Sequence, residues 1–596
     1  MKKSIKQKTS SKNNIFSSLA KVLKYAKGYY LHLITAIIAV TIGVVLELLG
    51  PNELSKITNL IKEGFINGID ISAVTSIAIF LVIIYVIMGI MYLIEGMLVA
   101  HVTQKVTKRL RTNISNKINN LPLKTLDKST KGDILSRITN DADTIGQALN
   151  NSTSGVVASI VLFCGSVIMM FVHSWIMALS GIAASIIGFA LVSIILKKSQ
   201  KHFNARQQRL GLLNGHIEEA FTNHNTIVVC NAKSQEFNKF NKLNKDLFDS
   251  DFKSQFLSGI MHPLMGFVGN LGFVVVCIVG AVLVINGMIE IGTIVAFMIY
   301  IRYFTQPLTQ IAQSLTSLQS AAAASTRIFD FLNQEELTDE SDKTTKLTNV
   351  KGEVEFKDIK FSYDNEKTII KNFSVKIPAG SKVAIVGPTG AGKTTLVNLL
   401  MRFYDSQEGD IIVDGVSIYD ITREQVHDLY SMVLQDTWLF EGTIEENLVF
   451  NKKGIPHSVI EKACKECDIH SFITSLPDGY NTVLKDDTSI SAGQKQLLTV
   501  ARAMIQNAPL LILDEATSNV DTRTELKLQQ AMDKLSTNRT SFVIAHRLST
   551  IKNSDIILVM KEGDIIESGS HNELLELNGF YAELYKSQFD TLSDED

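Results

Sequence analysis

The stretch KVAIVGPTGAGKTTLVNLL (Lys382–Leu400) reads as an apolar strand, a glycine-rich loop and a helix, in that order. It matches G-x-x-x-x-G-K-[ST] in the strand–loop–helix context that this phosphate-binding motif requires. Backbone N–H groups of the loop and of the helix N-terminus bind phosphate, and the lysine pairs with the β- and γ-phosphates. The stretch therefore predicts an α/β P-loop domain with these nucleotide ligands: Gly387, Thr389, Gly390, Gly392, Lys393, Thr394 and Thr395.

Two further apolar strands end in residues that suit phosphate chemistry. LLILDE (Leu510–Glu515) ends in two carboxylates, and a strand this apolar argues against mere surface charge. Asp514 is predicted to hold Mg²⁺ together with the Thr394 hydroxyl, and Glu515 to act as general base for water attack on the γ-phosphate. SFVIAHRLST (Ser541–Thr550) presents His546 after a strand. A lone histidine is more often structural, but this position makes it a γ-phosphate sensor candidate and a predicted catalytic residue.

SISAGQKQ (Ser489–Gln496) precedes a helical run and has the composition of an anion-binding helix start. Ala492 stands where a second glycine would be more permissive. If that position requires a positive φ, alanine costs about 1 kcal/mol there.

The preceding half of the chain is much more apolar. It contains six runs of about the length that spans a bilayer as a helix. They cover residues 31–49, 71–100, 154–172, 175–196, 256–285 and 292–315. Basic residues are concentrated at the N-terminus and in the long connections after the second and fourth runs, which predicts a multi-pass protein of the cytoplasmic membrane with both termini inside.

The resulting domain layout has a membrane α-helical domain of six transmembrane helices followed by the P-loop domain. A basic cytoplasmic segment (1–28) carries eight lysines and no acid. The other predicted boundaries are a transmembrane domain with two long cytoplasmic loops (29–332), a polar linker (333–352), an α/β nucleotide-binding domain (353–588) and an acidic tail (589–596).

A few residues within the apolar half call for separate interpretation. Charges inside spans are costly and tend to mark function, and the candidates are Glu47, Glu95 and Arg302. Glycines at every third position of the fifth span predict close helix packing, at Gly266, Gly269 and Gly272. In the other half, Cys464 and Cys467 form a CxxC without the second pair that a zinc site needs, so the pattern favours neither a metal nor a redox role.

The motifs, in this order, resemble the nucleotide-binding domain of an ATP-binding cassette (ABC) transporter. The resemblance covers the whole chain, because six spans followed by one cassette look like a half-transporter of the multidrug and lipid exporter type. The further site residues that it implies are Tyr363 for adenine stacking, Gln435 as a catalytic and Mg²⁺ contact in the Q-loop, Ser491, Gly493 and Gln494 as the signature motif, and Asp521 as the D-loop acid.

The family resemblance implies an ATP hydrolase with ATP and Mg²⁺ as cofactors. The implied function is alternating-access export of a hydrophobic or amphipathic compound (a drug, a lipid or a peptide). Two chains would sandwich two ATP molecules, with the signature of each chain on the γ-phosphate held by the other. LPLKTLDKSTKGDILSRITNDAD and GHIEEAFTNHNTIVVCNAKS are similar to the loops that dock on cassettes. A nucleotide-gated channel or a regulatory membrane protein on the same scaffold is the alternative; no nucleic-acid partner is indicated.

Two departures from the family pattern concern the partner. ISAGQ has Ala492 in place of the first signature glycine, and the preceding TVLKDDTS is about one residue short and lacks a usual glycine. These features resemble one subunit of heterodimeric bacterial multidrug exporters. The chain keeps Lys393, Asp514, Glu515 and His546, so we expect its own motifs to form the competent site with the signature of a different partner. A homodimer stays open.

Overall fold

The computed structural model describes residues 20–22, 24–364, 367–434, 437–450, 452–485, 490–514, 522–544 and 551–589. These residues form two compact units. The first contains the chain up to Asn119 and Lys131–Gln334. The second contains Asn120–Thr130 and the chain from Glu335 onward.

Helices of 5 to 53 residues form the described part of the first half of the chain. They are α1 (Tyr30–Asn67), α2 (Ile71–Asn120), α3 (Leu123–Asp127), α4 (Lys131–Ser136), α5 (Ala142–His173), α6 (Trp175–Thr222), α7 (His224–Val229), α8 (Lys233–Ile285) and α9 (Ile291–Leu332). Helix α3 belongs to the second unit. The tight turn between α5 and α6 is stabilised by Ser174, whose side chain caps α6 by accepting a hydrogen bond from the Met177 N–H.

By length and apolar content alone, four helical stretches of the described residues are able to cross a membrane. They are Lys27–Phe65, Ile71–Asn120, Lys131–His173 and Gly266–Ile285. A shorter apolar stretch, Trp175–Ala190, begins α6 and covers part of the fourth predicted span. The sixth predicted span lies in α9, where Arg302, Gln306 and Gln310 lower the apolar content.

Helices α1 and α9 approach each other closely in the first unit. A Cβ added at Gly292 would lie 2.1 Å from the carbonyl oxygen of Ser55, so only glycine fits this approach. The Gly292 N–H donates to Oδ1 of Asn59 at 2.7 Å, and the buried Tyr300 hydroxyl donates to the Leu48 carbonyl at 3.1 Å. Partners for buried polar groups matter in a membrane, because lipid supplies none.

The packing predicted for the three glycines of the fifth span is found for one of them. A Cβ at Gly272 would lie 3.1 Å from Cγ1 of Ile301, which is an actual helix contact. A Cβ at Gly266 or Gly269 would meet nothing within 4 Å in the described residues. The prediction was therefore wrong for those two positions within this chain, because a period of three does not keep all its members on one face of a 3.6-residue helix.

Two main sheets build the second unit. The strands are β1 (Val354–Phe361), β2 (Ile370–Ile377), β3 (Lys382–Val386), β4 (Glu408–Val413), β5 (Val416–Ser417), β6 (Tyr430–Val433), β7 (Gly442–Thr443), β8 (Val483–Leu484), β9 (Leu510–Asp514), β10 (Thr540–Ile544), β11 (Ile556–Lys561) and β12 (Asp564–Gly569). Strands β2-β1-β4-β5 form an antiparallel sheet, and β12-β11-β3-β10-β9-β6 form the larger sheet. Strands β11, β3, β10, β9 and β6 are mutually parallel and almost wholly buried, which explains their continuous apolar runs.

The helices of the second unit cover these sheets or form a separate helical layer. They are α10 (Lys393–Leu400), α11 (Arg423–Asp428), α12 (Ile444–Val449), α13 (His457–Glu466), α14 (His470–Ser475), α15 (Ala492–Gln506), α16 (Thr522–Ser536), α17 (His571–Glu576) and α18 (Phe580–Phe589). Parallel strands place their carboxyl ends at one edge of the sheet, where ligands of open α/β sheets bind. At this edge the P-loop follows β3, and Asp514 lies beside Ile544.

Candidate nucleotide-binding site

The P-loop has the backbone conformation that a phosphate cradle needs. Gly392 caps α10 with a φ of 104°, a region that side chains other than glycine rarely adopt. At Gly387 the constraint is space, because a Cβ would lie 2.2 Å from the Met560 carbonyl oxygen of β11. Thr389 and Gly390 are exposed between them. The loop therefore presents its backbone to solvent directly before the N-terminus of α10.

Lys393 lies within the loop that it is predicted to serve. Its ammonium donates to the carbonyl of Gly387 at 2.6 Å and to that of Pro388 at 3.1 Å, and the residue is buried. Burial lowers the pKa of Lys393 below its ordinary value, and the negative charge of Asp514 opposes that shift. The two residues are thus close enough to interact electrostatically. A phosphate would replace two neutral carbonyl acceptors with a charged one, which is the stronger partner for an ammonium.

The two threonines at the start of α10 differ in their surroundings. Thr394 is exposed, so its hydroxyl is free to face a metal ion, whereas Thr395 is buried. A carboxylate, a hydroxyl, phosphate oxygens and several waters are a normal Mg²⁺ environment, and Asp514 and Thr394 have the carboxylate and the hydroxyl that such a site would need. Among the described residues no group of three or more His, Cys, Asp or Glu side chains could hold a metal ion.

Tyr363, the predicted adenine-stacking residue, packs against the P-loop helix. Its hydroxyl donates to Oγ1 of Thr395 and accepts from Nδ2 of Asn398, both at 3.2 Å. Its ring meets that of Tyr404 edge to face, with centroids 5.0 Å apart. The contact to Thr395 places Tyr363 beside the first turn of α10, directly after the phosphate loop.

The signature residues form a helix cap. The Ser491 hydroxyl accepts from the Gln494 N–H at 3.3 Å, and the Gln494 side chain accepts from the Ser491 N–H at 2.9 Å. This reciprocal capping box leaves the Ser491 hydroxyl proton and the Gln494 amide protons as donors for an anion. Gly493 is buried in the first turn of α15.

The strain considered for Ala492 is absent from the structure. Ala492 is the first residue of α15, directly after the extended Ser491 (φ −68°, ψ 158°), and it is not among the described residues with positive φ. Alanine is the best residue in helical conformation, so it stabilises this position relative to glycine. The condition on which a backbone cost depended is therefore not met.

Four predicted residues, Gln435, Glu515, Asp521 and His546, lie outside the described residues. The strands that precede three of them are described. Val433 of β6 pairs with Leu513 of β9, and Ile544 of β10 pairs with Asp514. Those strands end at the edge of the sheet that carries the P-loop.

Sequence reasoning missed a link between the site and the first long loop. The Tyr404 hydroxyl donates to Asp127 of α3, and Lys128 pairs with Asp364 at 3.5 Å, next to Tyr363. Leu123 of the same helix packs on the core of the sheets. The sequence of this loop resembles a family docking segment, but no local sequence pattern identifies Tyr404 as the residue that it contacts.

The predicted linker is also more structured than its composition suggests. Glu340 accepts hydrogen bonds from Arg402 at 2.6 Å, from the Arg423 side chain at 2.8 Å and from Lys343 at 3.0 Å. The Arg402 side chain is only 5% exposed. A buried arginine needs such a carboxylate, so Glu340 fixes the linker to the end of the P-loop helix.

Cys464 and Cys467 are both buried free thiols. Burial raises the pKa of Cys464 to about 11 and that of Cys467 to about 12. The thiolates that metals and oxidants require are therefore disfavoured.

Comparison with known proteins matches both halves of the chain. The family model of the ABC transporter transmembrane region matches residues 33–308, and that described as ABC transporter matches residues 370–518. The chain is 41% identical over 521 residues to a "Fatty acid ABC transporter ATP-binding/permease protein" of Mycobacterium bovis, covering 87% of this chain and 82% of that protein.

A second relative and a solved structure cover comparable lengths. The chain is 34% identical over 524 residues to an "ATP-dependent lipid A-core flippase" of Desulfotalea psychrophila, covering 87% of this chain and 91% of the flippase. The structure of this chain is similar to that of a bacterial Atm1-family ABC exporter with ATP bound, with a TM-score of 0.73. The two sequences are 26% identical, and the match covers 94% of this chain and 98% of the exporter chain.

Proposed function

Because this chain belongs to the ABC transporter family and has the two domains of an ATP-driven exporter, we propose that it moves a lipid-like amphipathic compound across the cytoplasmic membrane by alternating access. In this proposal both termini are cytoplasmic, residues 29–332 form the transmembrane domain and residues 353–588 form the cassette. The relatives named for fatty acids and for lipid A-core favour a lipid among the hydrophobic substrates considered.

The proposed catalytic roles belong to residues at or after the edge of the parallel sheet. The P-loop and Lys393 would hold the β- and γ-phosphates, and Thr394, Asp514 and Gln435 would hold Mg²⁺. Glu515 takes a proton from the attacking water, and His546 contacts the γ-phosphate. Mg²⁺ neutralises charge that develops on the phosphate oxygens, and the protein supplies positioning and fixed donors.

One observation carries the proposal: the described chain presents an open phosphate loop and a separate helix cap with unused donors. Ser491 and Gln494 retain protons for an anion. We propose that the cap serves an ATP held by a second chain. ATP then stabilises the closed pair, because it contacts both cassettes only when they meet.

Half-transporters of this family act as dimers, and we propose that the partner is a different chain. The support is that Ala492 stands in place of the first glycine of the signature. The chain nevertheless keeps Lys393, Asp514, Glu515 and His546. Because the backbone of Ala492 is unstrained, we expect its effect on phosphate binding to be steric. Its methyl group occupies space that glycine would leave open to an approaching phosphate. A homodimer is the alternative that the experiment must separate.

The experiment measures ATP hydrolysis and ATP-driven lipid movement in proteoliposomes by the purified chain, both alone and together with a different half-transporter. Glu515→Gln should lower hydrolysis by roughly 10² to 10⁴ and stop transport, because general base catalysis typically contributes that much. Glu583→Gln, an exposed glutamate of the same unit, is the matched control and should change neither.

The outcomes separate the alternatives. Hydrolysis that appears only after a second, different half-transporter is added supports the heterodimer, whereas robust hydrolysis by the chain alone contradicts it. Passive flux that survives Glu515→Gln would identify a nucleotide-gated channel and overturn the exporter proposal.

A further inference from the structure

Helix α9 has two faces of opposite character at the depth of the membrane. One face is buried in the chain and includes Tyr300, Ile301 and Phe304. The opposite face carries a polar stripe of Arg302, Gln306, Thr309 and Gln313, spaced four, seven and eleven residues from the first. This spacing keeps the four side chains in line on a helix of 3.6 residues per turn. Arg302, Gln306 and Gln313 are exposed and Thr309 is half-buried.

Arg302 lies near the middle of the sixth predicted span, residues 292–315. It comes eleven residues after the start of α9 at Ile291, which is about 16 Å along the axis, or half of a hydrocarbon core of about 30 Å. It is the only lysine or arginine in the six predicted spans. Among the described residues its guanidinium has neither a hydrogen bond nor an ion pair.

The nearby acid does not neutralise this charge. Glu47 accepts a hydrogen bond from the Tyr92 hydroxyl at 2.8 Å. Among the described residues no ion pair joins Glu47 to Arg302. The phenol of Tyr92 is therefore the partner of this acid, and the arginine is not.

An exposed arginine at this depth is costly in lipid, and so is the row of amides that continues from it. Polar faces of membrane helices normally line a water-filled cavity. An exposed cation without a partner among the described residues is suited to bind an oxyanion, and guanidinium does so with two parallel hydrogen bonds to carboxylate or phosphate. Gln306, one turn further along, would add an uncharged donor.

We propose that Arg302 and Gln306 bind the anionic head group, carboxylate or phosphate, of the amphiphile that the protein exports. This inference rests on the proposed function and narrows its substrate to acidic amphiphiles. The acyl chain would lie against the apolar part of α9 that precedes Arg302, where Val295 and Ile299 continue the same face.

The test compares four amphiphiles with one sixteen-carbon chain: palmitate, hexadecyl phosphate, hexadecanol and hexadecyltrimethylammonium. The readouts are the half-saturating concentration for stimulation of ATP hydrolysis in lipid nanodiscs and ATP-driven accumulation in proteoliposomes. The variants are Arg302→Gln, Arg302→Lys and Arg302→Glu. Lys108→Gln removes an exposed charge outside the predicted spans and is the matched control.

We expect the wild type to respond to the acidic amphiphiles at the lowest concentrations. Arg302→Gln should raise the half-saturating concentration for them roughly tenfold or more while basal hydrolysis is kept, since charged bidentate contacts are worth at least that factor. Arg302→Lys should retain part of the response, and Arg302→Glu should favour the trimethylammonium compound. Preference between palmitate and hexadecyl phosphate tells carboxylate from phosphate.

Three results would count against the proposal in distinguishable ways. Transport that is equal for all four head groups, and unchanged by Arg302→Gln, overturns the role of Arg302 and leaves the exporter function intact. An equal loss for all four, with a lower melting temperature, identifies Arg302 as a structural contact to a partner chain. Absence of transport for every amphiphile by the wild type, alone and together with its partner half-transporter, overturns the lipid-export proposal itself.

Discussion

The hydroxyl of Tyr404 donates a hydrogen bond to the carboxylate of Asp127, and this bond joins the P-loop helix to the first long loop. Tyr404 follows the end of α10 by four residues, and its ring packs on Tyr363 at 5.0 Å. Tyr363 in turn donates to Thr395 in the first turn of α10. A chain of contacts thus runs from the predicted adenine-stacking residue to α3, which resembles a family docking segment.

Tyr404→Phe tests whether this hydrogen bond couples ATP hydrolysis to the binding of a transported substrate. It removes the hydroxyl but keeps the ring on Tyr363, so we expect basal hydrolysis to persist while stimulation by a transported amphiphile falls several-fold. A hydrogen bond to a charged group contributes about 1.5–3 kcal/mol. The measurement is the ratio of stimulated to basal ATP hydrolysis.

A second tyrosine of the same unit supplies the control. The Tyr419 hydroxyl accepts from the Ser406 N–H at 3.0 Å and contacts its side chain, but it does not touch α3. Tyr419→Phe should lower stability to a similar extent and leave the ratio unchanged. Equal ratios for the two variants would show that the Asp127 bond is structural.

Ser491→Ala separates helix capping from phosphate binding. Loss of the cap should cost about 1 kcal/mol of stability. If Ser491 also binds a partner's phosphate, hydrolysis should fall on the order of tenfold to a hundredfold, as when other transition-state donors are removed. Ser570→Ala breaks the same kind of capping box on α17, where Glu573 is the partner, and is the matched control. A similar loss of activity in both variants would assign Ser491 to capping alone.

Ala492→Gly tests the helical assignment of the signature. Because Ala492 has helical conformation, glycine should lower the free energy of unfolding by up to about 1 kcal/mol. Thermal unfolding of the wild type and the variant checks this. A variant that is more stable than the wild type would instead reveal a strained alanine.

Glu340→Ala should destabilise the nucleotide-binding unit by about 1–3 kcal/mol, because the buried Arg402 loses the closer of its two carboxylates and keeps only Asp405 at 3.2 Å. Burial alone would raise the pKa of Glu340, but the Arg423 N–H, Lys343 and the charges of Arg402 and Arg423 together hold it below the ordinary value. This contribution to stability is therefore present at neutral pH and is lost as the pH falls below the ordinary range for glutamate.

Unfolding midpoints of the wild type and Glu340→Gln between neutral pH and pH 4 measure that linkage. The difference between the two proteins should shrink as the pH falls. A constant difference across the range would mean that the Glu340 charge contributes nothing. Glu583→Gln, an exposed position, should show no difference at any pH.

Cys464 and Cys467 should resist alkylation in the native protein. With pKa values of about 11 and 12, both stay protonated at neutral pH, and both are buried, whereas Cys230 is exposed. Mass spectrometry after maleimide treatment at pH 7.5 should find label on Cys230 first. The raised values also mean that stability falls as the pH rises above about 8.5, the ordinary thiol pKa, toward those values. Equal labelling of Cys230 and Cys467 would contradict the buried placement.

Local patterns determined most of the fold and the centre of the site. Continuous apolar strands followed by glycine or acid identified β3 and β9, and runs long enough for a bilayer identified the membrane helices, because periodicity and length are properties of short segments. The P-loop residues are placed together for the same reason. Gln435, Glu515, Asp521 and His546 stay predictions.

Tertiary structure decided what depends on neighbours that are distant in sequence. The sequence by itself determined that residue 492 is an alanine in a signature-like motif. Only the packed structure decided that its backbone is helical and unstrained and that Tyr404 meets Asp127. It also decided that Gly292 is held against Ser55, whereas a Cβ at Gly266 or Gly269 would meet no described atom within 4 Å. Such contacts join residues up to 277 positions apart, as for Asp127 and Tyr404. No short window encodes them, because each depends on how whole elements pack.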